Sequence, residues 1–141
     1  MANALFDPGR QGILDGTISV SVGTVRASLM NGYTFNAAHE FVSDITTAGG
    51  VQVATMMLIS KTETSGVFDA ANVTFSAVAL GSPVTGILIF QSSAPTGGAD
   101  LAASAQRVIA YIDTATGLPV TPNGGSITIS WDTGSNKIFT L

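Results

Sequence analysis

The stretch Gly86-Ile87-Leu88-Ile89-Phe90 carries an apolar side chain at every position after its glycine. A strand sends successive side chains to opposite faces, so a strand made of these residues is greasy on both sides. Val108-Ile109-Ala110-Tyr111-Ile112 repeats the pattern. Two such strands lie at the centre of a sheet, or turn their second face to another subunit. Neither approaches the ~20 apolar residues of a membrane-spanning helix, and the run 51–59 is also too short and interrupted.

Outward from this pair the chain reads as strands separated by turns. Ile18, Val20 and Val22, then Val25, Ala27 and Leu29, alternate with Ser, Thr and Arg, the period of two of a half-buried strand. Gly23 shifts the phase by one, the mark of a bulge or turn. Further strands are expected within 51–61, 67–68, 73–80, 84–91, 107–113, 126–132 and 137–141. Ser126-Ile127-Thr128-Ile129-Ser130-Trp131 alternates cleanly, with Ile127, Ile129 and Trp131 inward. Asp132 to Ser135 and Asn136 form a Gly-containing hairpin connection. Seven or more short strands with turn-rich joints make a mainly β fold, a single-domain antiparallel β-sandwich or barrel-like structure.

Two short helices are expected beside it. Asp7 as N-cap, Pro8 at the first helical position and Gly16 as the stop frame a helix over 8–15. Gly9 and Gly12 each weaken it by roughly 1 kcal/mol relative to Ala, so the alternative is an arm that orders only against a partner. Asn36 caps a second helix around 36–45, with Phe41, Val42 and Ile45 inward. The organisation is then an arm or short helix over 1–16 and a β-sandwich domain over 17–141.

The chain has 141 residues, enough for one core without a staple, and its lack of Cys removes disulfides and thiolate metal sites. Charged residues make up 10% of it, against about 25% in ordinary soluble domains, while 45% are hydrophobic. Neighbouring protein subunits, whose interface cores are poor in charge, are what such a surface fits. The net charge is −4 and the five basic residues are scattered, which argues against nucleic acid. No basic region with a long apolar stretch opens the chain, so it is expected to be made and to remain in the cytoplasm.

The residues present give catalytic chemistry little support. His39 is the single histidine and no Gly-x-Ser-x-Gly turn is present, which removes a serine triad. His39, Glu40 and Asp44 lack a second neutral nitrogen to hold a metal. Asp113 and Asp132 end strands, where carboxylates usually cap turns rather than form a glycosidase pair. Gly97-Gly98 and Gly124-Gly125 lack the Lys and hydroxyl of a phosphate loop, and Asn72-Val73-Thr74 matches a glycosylation acceptor without a secretory route. Met56-Met57 reads as core filling rather than an adaptable contact. No catalytic residue, cofactor, metal or small-molecule substrate is assigned.

Two loops stand out. Residues 92–105 are small and polar, with Pro95, Gly97 and Gly98, and read as a projecting loop. Gly117-Leu118-Pro119-Val120-Thr121-Pro122-Asn123-Gly124-Gly125 reads as a stiff connection whose shape is set before it docks.

Met1-Ala2-Asn3-Ala4-Leu5-Phe6 with Gly9-Arg10, Phe41-Val42-Ser43-Asp44-Ile45, Val53-Ala54-Thr55, Val73-Thr74-Phe75-Ser76-Ala77-Val78, and above all the run from Ala110 through Gly125 to Trp131-Asp132 resemble a family of small structural proteins of tailed bacteriophages. The likeness is strong in the C-terminal third and patchy between Thr17 and Thr34, and Pro8 departs from the family's N-terminal helix. The resemblance implies a virion component, foremost a capsid decoration (cement) protein on the outer head shell. Its partners would be the major capsid protein and its own copies, as a trimer or dimer. The alternative is a tail or tail-fibre component, touching other tail proteins or host glycan through Tyr33. Leu5, Phe6, Ile13 and Leu14 are the candidate partner-contacting residues.

Overall fold

The computed structural model describes residues 4–113, 118–135 and 137–141. Residues 1–3 of the expected arm, 114–117 of the proline-rich connection and Asn136 of the expected hairpin connection lie outside them; β9 and β10, which flank Asn136, pair in different sheets, so that connection is not a hairpin. The fold is mainly β, a sandwich of antiparallel sheets with two short helices.

The element order is β1 (Ala4–Leu5), α1 (Asp7–Asp15), β2 (Val25–Asn31), α2 (Val42–Thr47), β3 (Val51–Met57), β4 (Thr62–Thr64), β5 (Val67–Asp69), β6 (Val73–Phe75), β7 (Gly86–Gln91), β8 (Arg107–Ile112), β9 (Ile127–Ile129) and β10 (Phe139–Thr140). The main sheet runs β1-β8-β7-β2-β3. A three-stranded sheet, β10-β5-β4, and the pair β6-β9 complete the strands.

The doubly apolar strands sit where their sequence requires. β7 is buried at every position, between β2 and β8. Ile87 and Ile89 enter a core with Phe68, Phe75, Ile129 and Trp131, between the main sheet and the smaller ones. Leu88 and Phe90 point the other way, into a second core with Phe6, Tyr33, Val42, Ile45 and Tyr111. The second face is therefore covered by α2, by Phe6 and by the segment between Tyr33 and Phe41, without another subunit. At about 1.5–3 kcal/mol per buried large side chain, both layers contribute heavily.

The N-terminal segment is stitched into the sheet rather than standing apart from it. β1 pairs with β8, Phe6 N–H donates to Ile109 O, and α1 packs on β8. Gly16 stops α1 with φ +85°, as its position dictates, but Phe6 rather than Asp7 is the N-cap. Gly9, which propensity alone counts against the helix, is what permits the contact: a Cβ there would lie 2.8 Å from Val108 O and 2.9 Å from Ile109 O.

Three other expectations are corrected. Residues 17–24 form turns, not a strand, because the Gln91 side chain captures their backbone: its Oε1 accepts from Ser19 N–H at 2.8 Å and its Nε2 donates to Thr17 O at 3.1 Å. The second helix starts at Val42, where the Asp44 carboxylate accepts from the N–H groups of Glu40 and Phe41, while Asn36 organises only a turn at Ala38. Residues 92–105 fold back instead of projecting: Ser92 and Ser93 are buried, Leu101 N–H donates to Ser92 O, and Asp100 meets Arg26 and the Ser92 hydroxyl.

Candidate contact surface

The chemistry-bearing residues are occupied in holding the fold. Among the described residues no three His, Asp or Glu side chains gather to hold a metal ion. His39 Nδ1 lies 2.9 Å from the Tyr33 hydroxyl, Glu40 pairs with Arg107 at 3.0 Å, and Asp44 caps α2. Those two backbone N–H groups hold the Asp44 carboxyl below its ordinary value. Asp132 accepts from Gly134 N–H, the turn-capping role its sequence position predicts. In an open cleft between α1 and β8, lined by Asp7, Gln11, Asp15, Glu40 and Arg107, Asp7 pairs with Arg10 and Glu40 with Arg107, while the Asp15 carboxylate accepts from the N–H and hydroxyl of Thr17.

Tyr33 is corrected as a sugar platform. It is buried, its ring meets Tyr111 edge-on at 5.1 Å, and its hydroxyl also accepts from Asn36 N–H. Burial raises the pKa of both tyrosines, keeping the phenols neutral and tied to this core. Among the described residues no helix is long and apolar enough to cross a membrane.

Of the four candidate contact residues, the structure separates one from the rest. Phe6 is 0% exposed, packed at 4.9 Å on Phe35, so it is a core residue of this fold and not a surface one. Leu5 and Ile13 are half-buried against the inter-sheet core. Leu14 alone projects, 76% exposed at the end of α1.

The larger exposed apolar surface lies elsewhere. β3 is the last strand of the main sheet and is exposed at most positions. Met56 and Met57 are 43% and 48% exposed, which overturns their reading as core filling; Val51 and Ile59 are exposed on the same segment. The reason is geometric. Among the described residues no strand follows β3 in the sheet to shelter its side chains, and α2 with the Tyr33–Phe41 segment covers β7 and β8.

β6 runs beside β3, and Ile59 O accepts from Ala71 N–H at 3.0 Å, so the following loop continues the same surface. That loop presents Leu80, 77% exposed. It is held rigidly: Val84 and Val120 exchange backbone hydrogen bonds of 2.7 and 3.0 Å, Val78 bonds Gly124 and Gly125, and Asn31 Nδ2 donates to Pro83 O. The described part of the proline-rich connection thus braces this loop. Neither 51–60 nor 70–85 contains a single charged residue.

Sequence reasoning missed this face because alternating apolar residues in a strand read as core wherever the strand sits. The available signal was the absence of charge across both segments, which only a surface meant to be covered tolerates. Comparisons with protein-family models, with curated proteins and with solved structures returned no match.

Proposed function

We propose that this chain is a structural protein of a tailed-bacteriophage virion, and within that class a capsid decoration protein. It is made in the host cytoplasm, seats on the outer head shell, binds capsid subunits and its own copies, and catalyses no reaction. The observation that carries this reading is the uncharged apolar face formed by β3, β6 and the loop after it, on a domain whose His39, Glu40 and Asp44 are engaged within the fold. A cement protein works by binding energy across shell subunits, which resists the outward pressure of packed DNA. A rigid, neutral face suits the contacts between copies that such a layer needs, since its loops lose little entropy on docking. Leu14, on α1 beside β8, supplies a separate point of contact with the shell.

Cryo-electron microscopy of purified virions tests the proposal. Density for this chain on the outer capsid is the expected result. Density confined to the tail replaces it with the tail-component reading, and absence from the particle overturns both. Binding of the isolated chain to purified emptied heads gives a second readout: Leu14→Asp should weaken it at least tenfold.

A further inference from the structure

We infer that the face built from β3, β6 and the 76–85 loop is a two-fold interface with a second copy of this chain. The inference rests on the reading of the protein as an assembling subunit and names which surface makes the self-contact.

Charge selects the occupant. At a two-fold axis each residue close to the axis faces its own twin, so any charge there opposes a like charge. A chain of net charge −4 that approaches its own copy does so with least cost through a face carrying none. Segments 51–60 and 70–85 meet that condition, and they lie side by side through the β3–β6 contact and the Ile59–Ala71 hydrogen bond. The border charge Lys61 is turned away, its Nζ donating to Gly23 O. The Arg26 guanidinium is likewise drawn to Asp100.

Size is close. With the β3 positions that point to the opposite face set aside, the two segments present about seventeen residues that reach solvent, just below the 20–30 residues a side of a standard interface. Their exposed anchors are Val51 and Met56, on the β6 side of β3, and Leu80 on the loop; Met57 points to the opposite face, across from Arg26. Met56 is unbranched and adapts to an opposing surface, and the 76–85 loop is already fixed by its bonds to 120–125.

Sedimentation velocity on the isolated full chain over a wide concentration range tests this. A reversible monomer–dimer equilibrium is expected. Met56→Asp and Leu80→Asp, both at exposed positions, should each raise the dimer dissociation constant about a hundredfold, because each buries an unpaired charge twice. Circular dichroism and the melting temperature of the dilute monomer should not change. Leu14→Asp, on α1, should leave the dimer intact while reducing binding to emptied heads, which separates failure of this interface from failure of the shell-binding proposal. The inference is overturned if the chain is monomeric at every concentration, if it forms a trimer, or if the dimer survives both aspartates. It is equally overturned if Leu80→Asp abolishes shell binding by a chain that is always monomeric, since the face would then belong to the capsid.

Discussion

The two ends of the main sheet are finished in opposite ways. Over β7 and β8 the outer face is sealed by α2, Phe6 and the Tyr33–Phe41 segment, and charges around it are paired: Arg107 with Glu40, its guanidinium 5.3 Å from the Phe41 ring centre, and Arg10 with Asp7. Over β3 the sheet ends in exposed methionines and valine without a charge to solvate them. The same chain thus contains a face that is complete and a face that is not. The difference teaches that low overall charge is not spread evenly but concentrated where cover is lacking.

The contrast breaks first if the sealed end is not sealed. Leu88→Ala empties the helix-side core and Ile89→Ala the inter-sheet core; both residues are fully buried. Each should lower unfolding free energy by about 2–5 kcal/mol in urea denaturation of the dilute monomer. If Leu88→Ala weakened only self-association and left monomer stability unchanged, the face under the helices would be an interface between subunits after all.

Next comes the seam that holds α1 in place. Gly9→Val would drive a branched side chain against the carbonyl oxygens of Val108 and Ile109. A loss of about 1–3 kcal/mol is expected, read as a lower melting temperature together with weaker amide protection in β1 and β8. A neutral outcome would mean that α1 is free to lift, restoring the alternative of a loose arm.

These two predictions also mark what the sequence made legible. The doubly apolar pattern of Gly86-Ile87-Leu88-Ile89-Phe90 placed β7 centrally because burial on two faces is a local property of the residues. Which body covers the second face is not local, and Phe6, Tyr33 and Ile45 come to it from distant positions. Gly9 was misleading for the same reason: helix propensity is read along one element, whereas the value of a missing Cβ depends on the strand beneath. Residues 17–24 alternate like a strand, yet two hydrogen bonds from Gln91, more than seventy residues away, hold them as turns. The contact surface was visible only as missing charge, since neither Met56 nor Leu80 differs in type from a core residue. Leu14, one of the candidate contact residues, is exposed because it lies in the last turn of a helix that stops at Gly16.

A smaller effect is expected at the cap of α2. The lowered pKa of Asp44 means that its carboxylate stabilises the fold above its ordinary value of 3.8, and that this contribution disappears as pH falls through the lower folded-state value. Asp44→Asn should therefore cost up to about 1 kcal/mol at neutral pH, discounted because the carboxylate lies near solvent. The gap between wild type and variant should close on acidification below about pH 3.8, followed by denaturant titration at several pH values. A gap that stays constant would place the cap's contribution in geometry rather than charge.

The smallest expected effect is the sharpest probe of the unfinished end. Met56→Thr exchanges a side chain that is 43% exposed for a β-branched one suited to a strand. Little apolar area leaves a packed environment and the strand preference improves, so stability of the dilute monomer should change by no more than about 0.5 kcal/mol in either direction. Self-association at high concentration should nevertheless weaken, because the lost contact is one made with a partner. Were the monomer itself destabilised by as much as a core deletion, about 2 kcal/mol or more, Met56 would belong to the interior and β3 would be as fully covered as β7.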